Sequence, residues 1–156
     1  MIDHANFTIC KSAKPPTVTF TMKHDLDGEE DMMFAAEALK TYLRKVHRKA
    51  GGAELPLLID LRRCSNFTPR HVLTTVRVLI GEQEALMSMV SRSAVVLRLD
   101  DAVAVLSQAF QRLYTPVKPF RILCDESEAR GFLAEGWRGG GEGRGGEGRG
   151  GEGRAG

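Results

Sequence analysis

Between residues 17 and 22, apolar and hydroxyl side chains alternate. Val18, Phe20 and Met22 fall on one side, and Thr17, Thr19 and Thr21 on the other. A period of two predicts a half-buried strand. A second strand is expected at residues 6–9. Pro15-Pro16, which donates no ladder bonds, punctuates the pair and points to a hairpin. From residue 28 the period lengthens. Met33, Ala36, Leu39, Leu43 and Val46 recur at three- and four-residue steps, which predicts a helix over 28–50 with those positions inward. Asp27, Glu29, Glu30 and Asp31 stand at its start; Lys40, Arg44, Lys45, Arg48 and Lys49 stand towards its end. That polarity complements the helix dipole, and Gly51-Gly52 stops the helix.

The run Pro-Leu-Leu-Ile-Asp-Leu at 56–61 is continuously apolar but for Asp60, as expected of a strand covered on both faces. Thr68-Pro69 then supplies an N-cap with proline at the first helical position. The helix it opens is expected to reach about Val90, with Val72, Val76, Leu79, Ile80, Leu86 and Val90 inward and Gly81 weakening its middle. Residues 94–99 read as the next buried strand. Asp100 or Asp101 is expected to cap a helix carrying Val103, Leu106, Phe110 and Leu113. Pro116 and Pro119 bracket a turn, and residues 120–124 form the last strand. Asp125 with Glu128 predicts a capping box for a final helix bearing Ala129, Phe132 and Leu133, which Gly136 ends. The order is β-β-α-β-α-β-α-β-α. It implies an α/β fold with a mostly parallel, mixed sheet of about five strands, right-handed crossovers and four flanking helices.

Composition changes this picture only at the end of the chain. Residues 140–154 repeat Gly-Gly-Glu-Gly-Arg three times. Nothing there buries apolar surface to offset the entropy of ordering it. We therefore expect one domain over 1–137 and a flexible tail over 138–156. Glu142, Glu147 and Glu152 cancel Arg144, Arg149 and Arg154, which argues against RNA binding by the tail. Hydrophobic residues make up 42% of the 156, charged residues 27%, and the formal net charge is +2. So small a charge excludes bulk attraction to nucleic acid or membrane. No apolar run nears the ~18 residues of a membrane-spanning helix, and the first residues lack the marks of a secretory signal. The expectation is a cytoplasmic protein.

Catalytic chemistry is sparse. No βα junction carries a phosphate-binding glycine loop, and Gly-x-Ser-x-Gly is absent. His4, His24, His47 and His71 do not fall at metal-ligand spacing, and Cys10, Cys64 and Cys124 form no CxxC pair. No metal and no cofactor are expected. Cys64 and His71 flank one loop, which leaves a nucleophile–base pair as the single catalytic option. The basic residues between Lys40 and Lys49 read as a solvated helix end, with an acidic lipid or partner as the alternative.

The informative stretch is Asp60-Leu61-Arg62-Arg63-Cys64-Ser65-Asn66-Phe67-Thr68-Pro69, from the end of a buried strand into a helix N-terminus. Binding sites of open α/β sheets lie outside the carboxyl ends of the strands, and a helix N-terminus there favours anions. This stretch and the element order resemble the STAS family of anti-sigma-factor antagonists, and more closely its SpoIIAA-like branch. Leu57-Leu58-Ile59-Asp60-Leu61, Ala94-Val95-Val96 and Phe120-Arg121-Ile122-Leu123 carry the likeness, together with the acidic then amphipathic ending from Asp125 to Leu133. The resemblance covers about residues 5–135.

It implies a non-catalytic regulatory module that binds a partner protein through Arg62, Arg63, Ser65, Asn66, Thr68 and Arg70. In regulatory members a Ser or Thr at the start of this helix is phosphorylated. That position falls at about Pro69 here, so Ser65 or Thr68 would have to stand in. The branch also suggests a second reading, a carrier of a lipid or other apolar ligand, to which Met32, Met33, Met87 and Met89 add adaptable surface. The third reading is a small hydrolase using Cys64 or His71. Monomer and homodimer both remain open, the latter through a hairpin edge near residues 6–9.

Overall fold

The computed structural model describes residues 1–25, 28–64, 81, 83–98, 100–113, 118–135 and 137. Among them six strands form one sheet: β1 (Ile2–Asp3), β2 (Phe7–Lys11), β3 (Val18–Met22), β4 (Leu55–Asp60), β5 (Val90–Val96) and β6 (Phe120–Leu123). Four helices accompany them: α1 (Glu29–Lys49), α2 (Gln83–Met87), α3 (Asp100–Leu113) and α4 (Glu126–Ala134). The sheet is mixed, and its spatial order is the chain order. β1, β2 and β3 pair antiparallel, whereas β3 to β6 run parallel.

Register sorts the side chains onto two faces. Ile9, Phe20, Ile59 and Val95 align across one face, and Thr8, Thr21, Asp60 and Val96 across the other. The first face meets α1, whose Leu39, Tyr42, Leu43 and Val46 close a core with Phe7, Ile9, Val18, Phe20 and Leu57. The second face meets α4, where Ala129, Phe132 and Leu133 pack on Leu58, Ala94 and Val96. Leu57 and Leu58 are thus buried in opposite directions. β4 is a strand covered on both sides, which is why its sequence is a continuous apolar run.

The hairpin forms as expected. Ser12 Oγ donates to the Pro15 carbonyl at 2.7 Å and accepts from Thr17 N–H at 3.1 Å, tying the proline-bearing connection. The Asp125 cap also forms: its side chain accepts from Glu128 N–H at 2.8 Å. Asp125→Ala is expected to cost about 1 kcal/mol of stability, the usual worth of such a cap. A urea titration checks it, and an unchanged midpoint would contradict the assignment.

Five expectations need correction. The sheet has six strands, not five, because Ile2 and Asp3 pair with Ile9 and Thr8. That pairing also occupies the hairpin edge proposed for a second copy. α1 buries Ala35 and, in part, Met32, whereas Met33 is 48% exposed and Ala36 lies at the margin. Three-residue steps advance about 300°, so the series from Met33 rotates off the face, while 32, 35, 39, 42–43 and 46 follow the helical period. Val90 is not a helical residue but the first of β5, where it pairs with Leu55. β5 therefore starts four residues earlier than expected, at a stretch whose Ser91-Arg92-Ser93 hides it from an apolar pattern. Arg92 is at home there because it donates to the Phe132 carbonyl at 2.7 Å and lies over that ring at 5.2 Å. Finally, Asp100 and Asp101 lie within the first turn of α3, not ahead of it.

Candidate functional site

β4 ends at Asp60, and the chain turns out of the sheet through Leu61, Arg62, Arg63 and Cys64. Asp60 is 9% exposed, an unfavourable place for a charge unless it is paired. Its partner is two residues on. One carboxylate oxygen accepts from Arg62 N–H at 3.1 Å and from Nε at 2.9 Å. The other accepts from Nη2 at 2.7 Å. This two-pronged pairing fits the planar guanidinium. The same Nη2 also pairs with Glu126, at the first turn of α4. Arg130, one turn further, reaches the other oxygen of Glu126 at 2.7 Å. Asp60, Arg62, Glu126 and Arg130 form a chain of alternating charge from the exit of β4 to the helix on the second face.

Electrostatics follow the geometry. Burial alone would raise the Asp60 carboxyl, but the hydrogen bonds and charge of Arg62 outweigh it and hold the group below its usual range. The hydrogen bond from Arg130, with the Arg62 charge, lowers Glu126 against the opposing effect of its burial. Arg62 is fixed more firmly in its charged form. Cys64 behaves oppositely. Burial and then the negative charges of Asp25 and Asp60 push its thiol up to about 12. Its Sγ lies 3.8 Å from the His24 carbonyl oxygen, to which it donates. At neutral pH such a sulfur is a thiol, whereas the thiolate is the nucleophile.

Of the residues expected at the site, Arg62 and Arg63 are described. Arg62 is partly covered by its two carboxylate partners, and Arg63 is exposed. Ser65, Asn66, Thr68, Pro69, Arg70 and His71 lie outside the described residues. Glu126 and Arg130 were not expected here, since they stand more than sixty positions from Arg62. The usable signal was an Asp closing an apolar strand with an Arg two residues later, on the same side of an extended chain. The His4 ring stacks on Phe7 at 4.8 Å, and His47 Nδ1 lies 3.0 Å from the Ala53 carbonyl oxygen. Among the described residues no group of three or more His, Cys, Asp or Glu could hold a metal ion. No described helix is long and apolar enough to cross a membrane.

No protein-family model and no curated protein matches the chain. Among solved structures it is similar to a protein of the DUF3478 family from Shewanella loihica PV-4, described as uncharacterized and as having a SpoIIAA-like fold. The match has a TM-score of 0.52 and 15% sequence identity, over 81% of this chain and 91% of that one. With a mixed sheet in this order and helices on both faces, the chain has a SpoIIAA-like fold.

Proposed function

We propose that the protein is a non-catalytic interaction module of the STAS type, which binds a partner protein through the segment that leaves the carboxyl end of β4. The observation that carries this reading is the Asp60–Arg62–Glu126 connection. It braces the exit of β4 against α4, so the chain leading to residues 65–70 starts from a rigid support. A binding surface needs that preorganisation. Arg63, exposed beside the connection, begins the surface; Ser65, Asn66, Thr68 and Arg70 continue it in sequence. The raised thiol of Cys64 weighs against the hydrolase reading, because little thiolate forms at neutral pH.

The connection also decides how the proposal is tested. Reversing Arg62 would put a third carboxylate beside Asp60 and Glu126, so loss of binding there would be ambiguous. Arg63→Glu combined with Arg70→Glu changes the surface and leaves the brace intact. Tagged protein is purified gently from its own cells, and the partners it retains are quantified by mass spectrometry. A partner held by the unaltered protein and lost from the double variant, with an unchanged melting temperature, is the expected result. Equal retention would sink the proposed surface. A lipid mass on the intact protein would favour the carrier. A phosphate mapped to Ser65 or Thr68 would add regulation at the same segment.

A further inference from the structure

At the other end of β4, before Leu55, lies a cleft unrelated to the Arg62 network. Six residues of strand separate the two ends by about 16 Å. The cleft has a volume of about 640 Å³ and lies between the last turns of α1 and the α2–β5 junction. Its mouth is broad, so a ligand there would lie against the surface and stay partly in solvent. Arg44, His47 and Arg48 line one side, and Ala85, Ser88 and Met89 the other. Gly51 and Gly52 also line it, and at Gly51 an added Cβ would meet nothing within 4 Å. None of these lining residues carries a carboxylate.

The charge here is not neutralised locally. Lys40 pairs with Glu37, but Arg44, Lys45, Arg48 and Lys49 make no ion pair among the described residues. All four are exposed. Residues 65–80 contain no Asp or Glu, and the acids closest in sequence to the α2 side of the cleft are Glu82 and Glu84. A helix C-terminus ordinarily repels anions through its free carbonyls. Here three of the last four carbonyls have local donors. Ala50 N–H donates to the Val46 carbonyl at 2.9 Å, Gly52 N–H to His47 at 2.9 Å, and Gly51 N–H to Arg48 at 3.2 Å. Gly51 and Gly52 reach those positions at φ 68° and 84°, in the left-handed region that glycine tolerates. The peptide dipoles of α1 still turn their negative end this way, so attraction for an anion comes from the side chains, two guanidiniums one helical turn apart. Two such groups suit the several oxygens of a phosphate.

We infer that this cleft is a binding site for a small phosphate-bearing ligand, held by Arg44 and Arg48, with Ala85 and Met89 facing its less polar part. The inference goes beyond the interaction surface proposed above and uses none of its residues.

The test is a titration of the full chain, labelled with nitrogen-15, with inorganic pyrophosphate, followed by amide chemical shifts. Saturable shifts are expected at Arg48, Gly51, Gly52 and Ser88. The double variant Arg44→Gln/Arg48→Gln keeps side-chain length on exposed helical positions. It should bind about tenfold more weakly, as expected when charge-assisted hydrogen bonds are lost. Its unliganded spectrum, superposable elsewhere, verifies folding. Absence of saturable shifts, equal affinity in the variant, or shifts centred on Arg62 and Arg63 would each overturn the site. Vesicles containing phosphatidylglycerol form the second arm. If they bind where pyrophosphate does not, the patch meets a membrane surface and the small-ligand assignment fails.

Discussion

Phe7→Ala is expected to remove about 3–5 kcal/mol of stability, the usual range for a buried Phe cut to Ala. Phe7 is 1% exposed and sits where three parts of the first core meet. It pairs across the hairpin with Met22, and its ring stacks on Phe20 at 5.4 Å and on His4 at 4.8 Å. Phe34, from α1, approaches it at 6.1 Å. Truncation would leave a cavity bordered by β1, β3 and α1, which are fixed by their own pairings and collapse poorly into it. Aromatic pairing adds about 0.5–1.5 kcal/mol beyond area. Urea denaturation should show a lowered midpoint with an unchanged slope, the sign of lost stability with the same surface exposed. A loss below ~1 kcal/mol would mean that the core is not organised around this ring.

The second large effect is expected from Arg62→Glu. Removing one member of a buried ion pair costs roughly 3–5 kcal/mol. Arg62 has a side chain 37% exposed, so solvent screening lowers the expectation to about 2–4 kcal/mol. The pH dependence distinguishes this cause from a packing fault. In the unaltered protein Asp60 and Glu126 are held below their ordinary values of 3.8 and 4.5. Their contribution is therefore fully present above those values and is lost as pH falls through the lower native ones. In the variant three carboxylates crowd together, which favours their neutral forms. Its stability should rise as pH is lowered into the carboxylate range. The gap between the two proteins should be widest near neutrality and shrink in acid. Denaturation midpoints between pH 7 and 4 measure it, and a gap independent of pH would show that the electrostatic brace is not what the variant removed.

Much of the fold was legible because burial imposes a simple pattern where one residue faces one environment. Val18, Phe20 and Met22 advertise a strand by alternation, and the run 57–61 advertises a strand with two covered faces. Asp125 identifies its helix by a local hydrogen bond. Legibility failed where the stabilising partner is distant in sequence. Ser91-Arg92-Ser93 looks polar until Phe132 supplies both a carbonyl and a ring for Arg92. Ile2-Asp3 is too short to carry a period, and only Thr8 and Ile9 opposite make it a strand. At the candidate site Asp60 and Arg62 announce each other by their spacing, but nothing local announces Glu126. It is brought to Arg62 by the return of α4 over the second face, a consequence of topology.

The order of the sheet has a further consequence for how the chain reaches this state. Because spatial order equals chain order, every strand pairs with the strand next to it in sequence. No pairing has to wait for a distant segment, and each loop to be closed is only as long as a single connection. The longest described connection, between β3 and β4, is mostly α1, which shortens the search by ordering itself locally. Loop-closure entropy grows with the logarithm of length, and folding slows as contacts become more remote. Strand pairing in this sheet therefore needs no closure longer than one crossover, and the longest-range closure left is the return of α4 over β4.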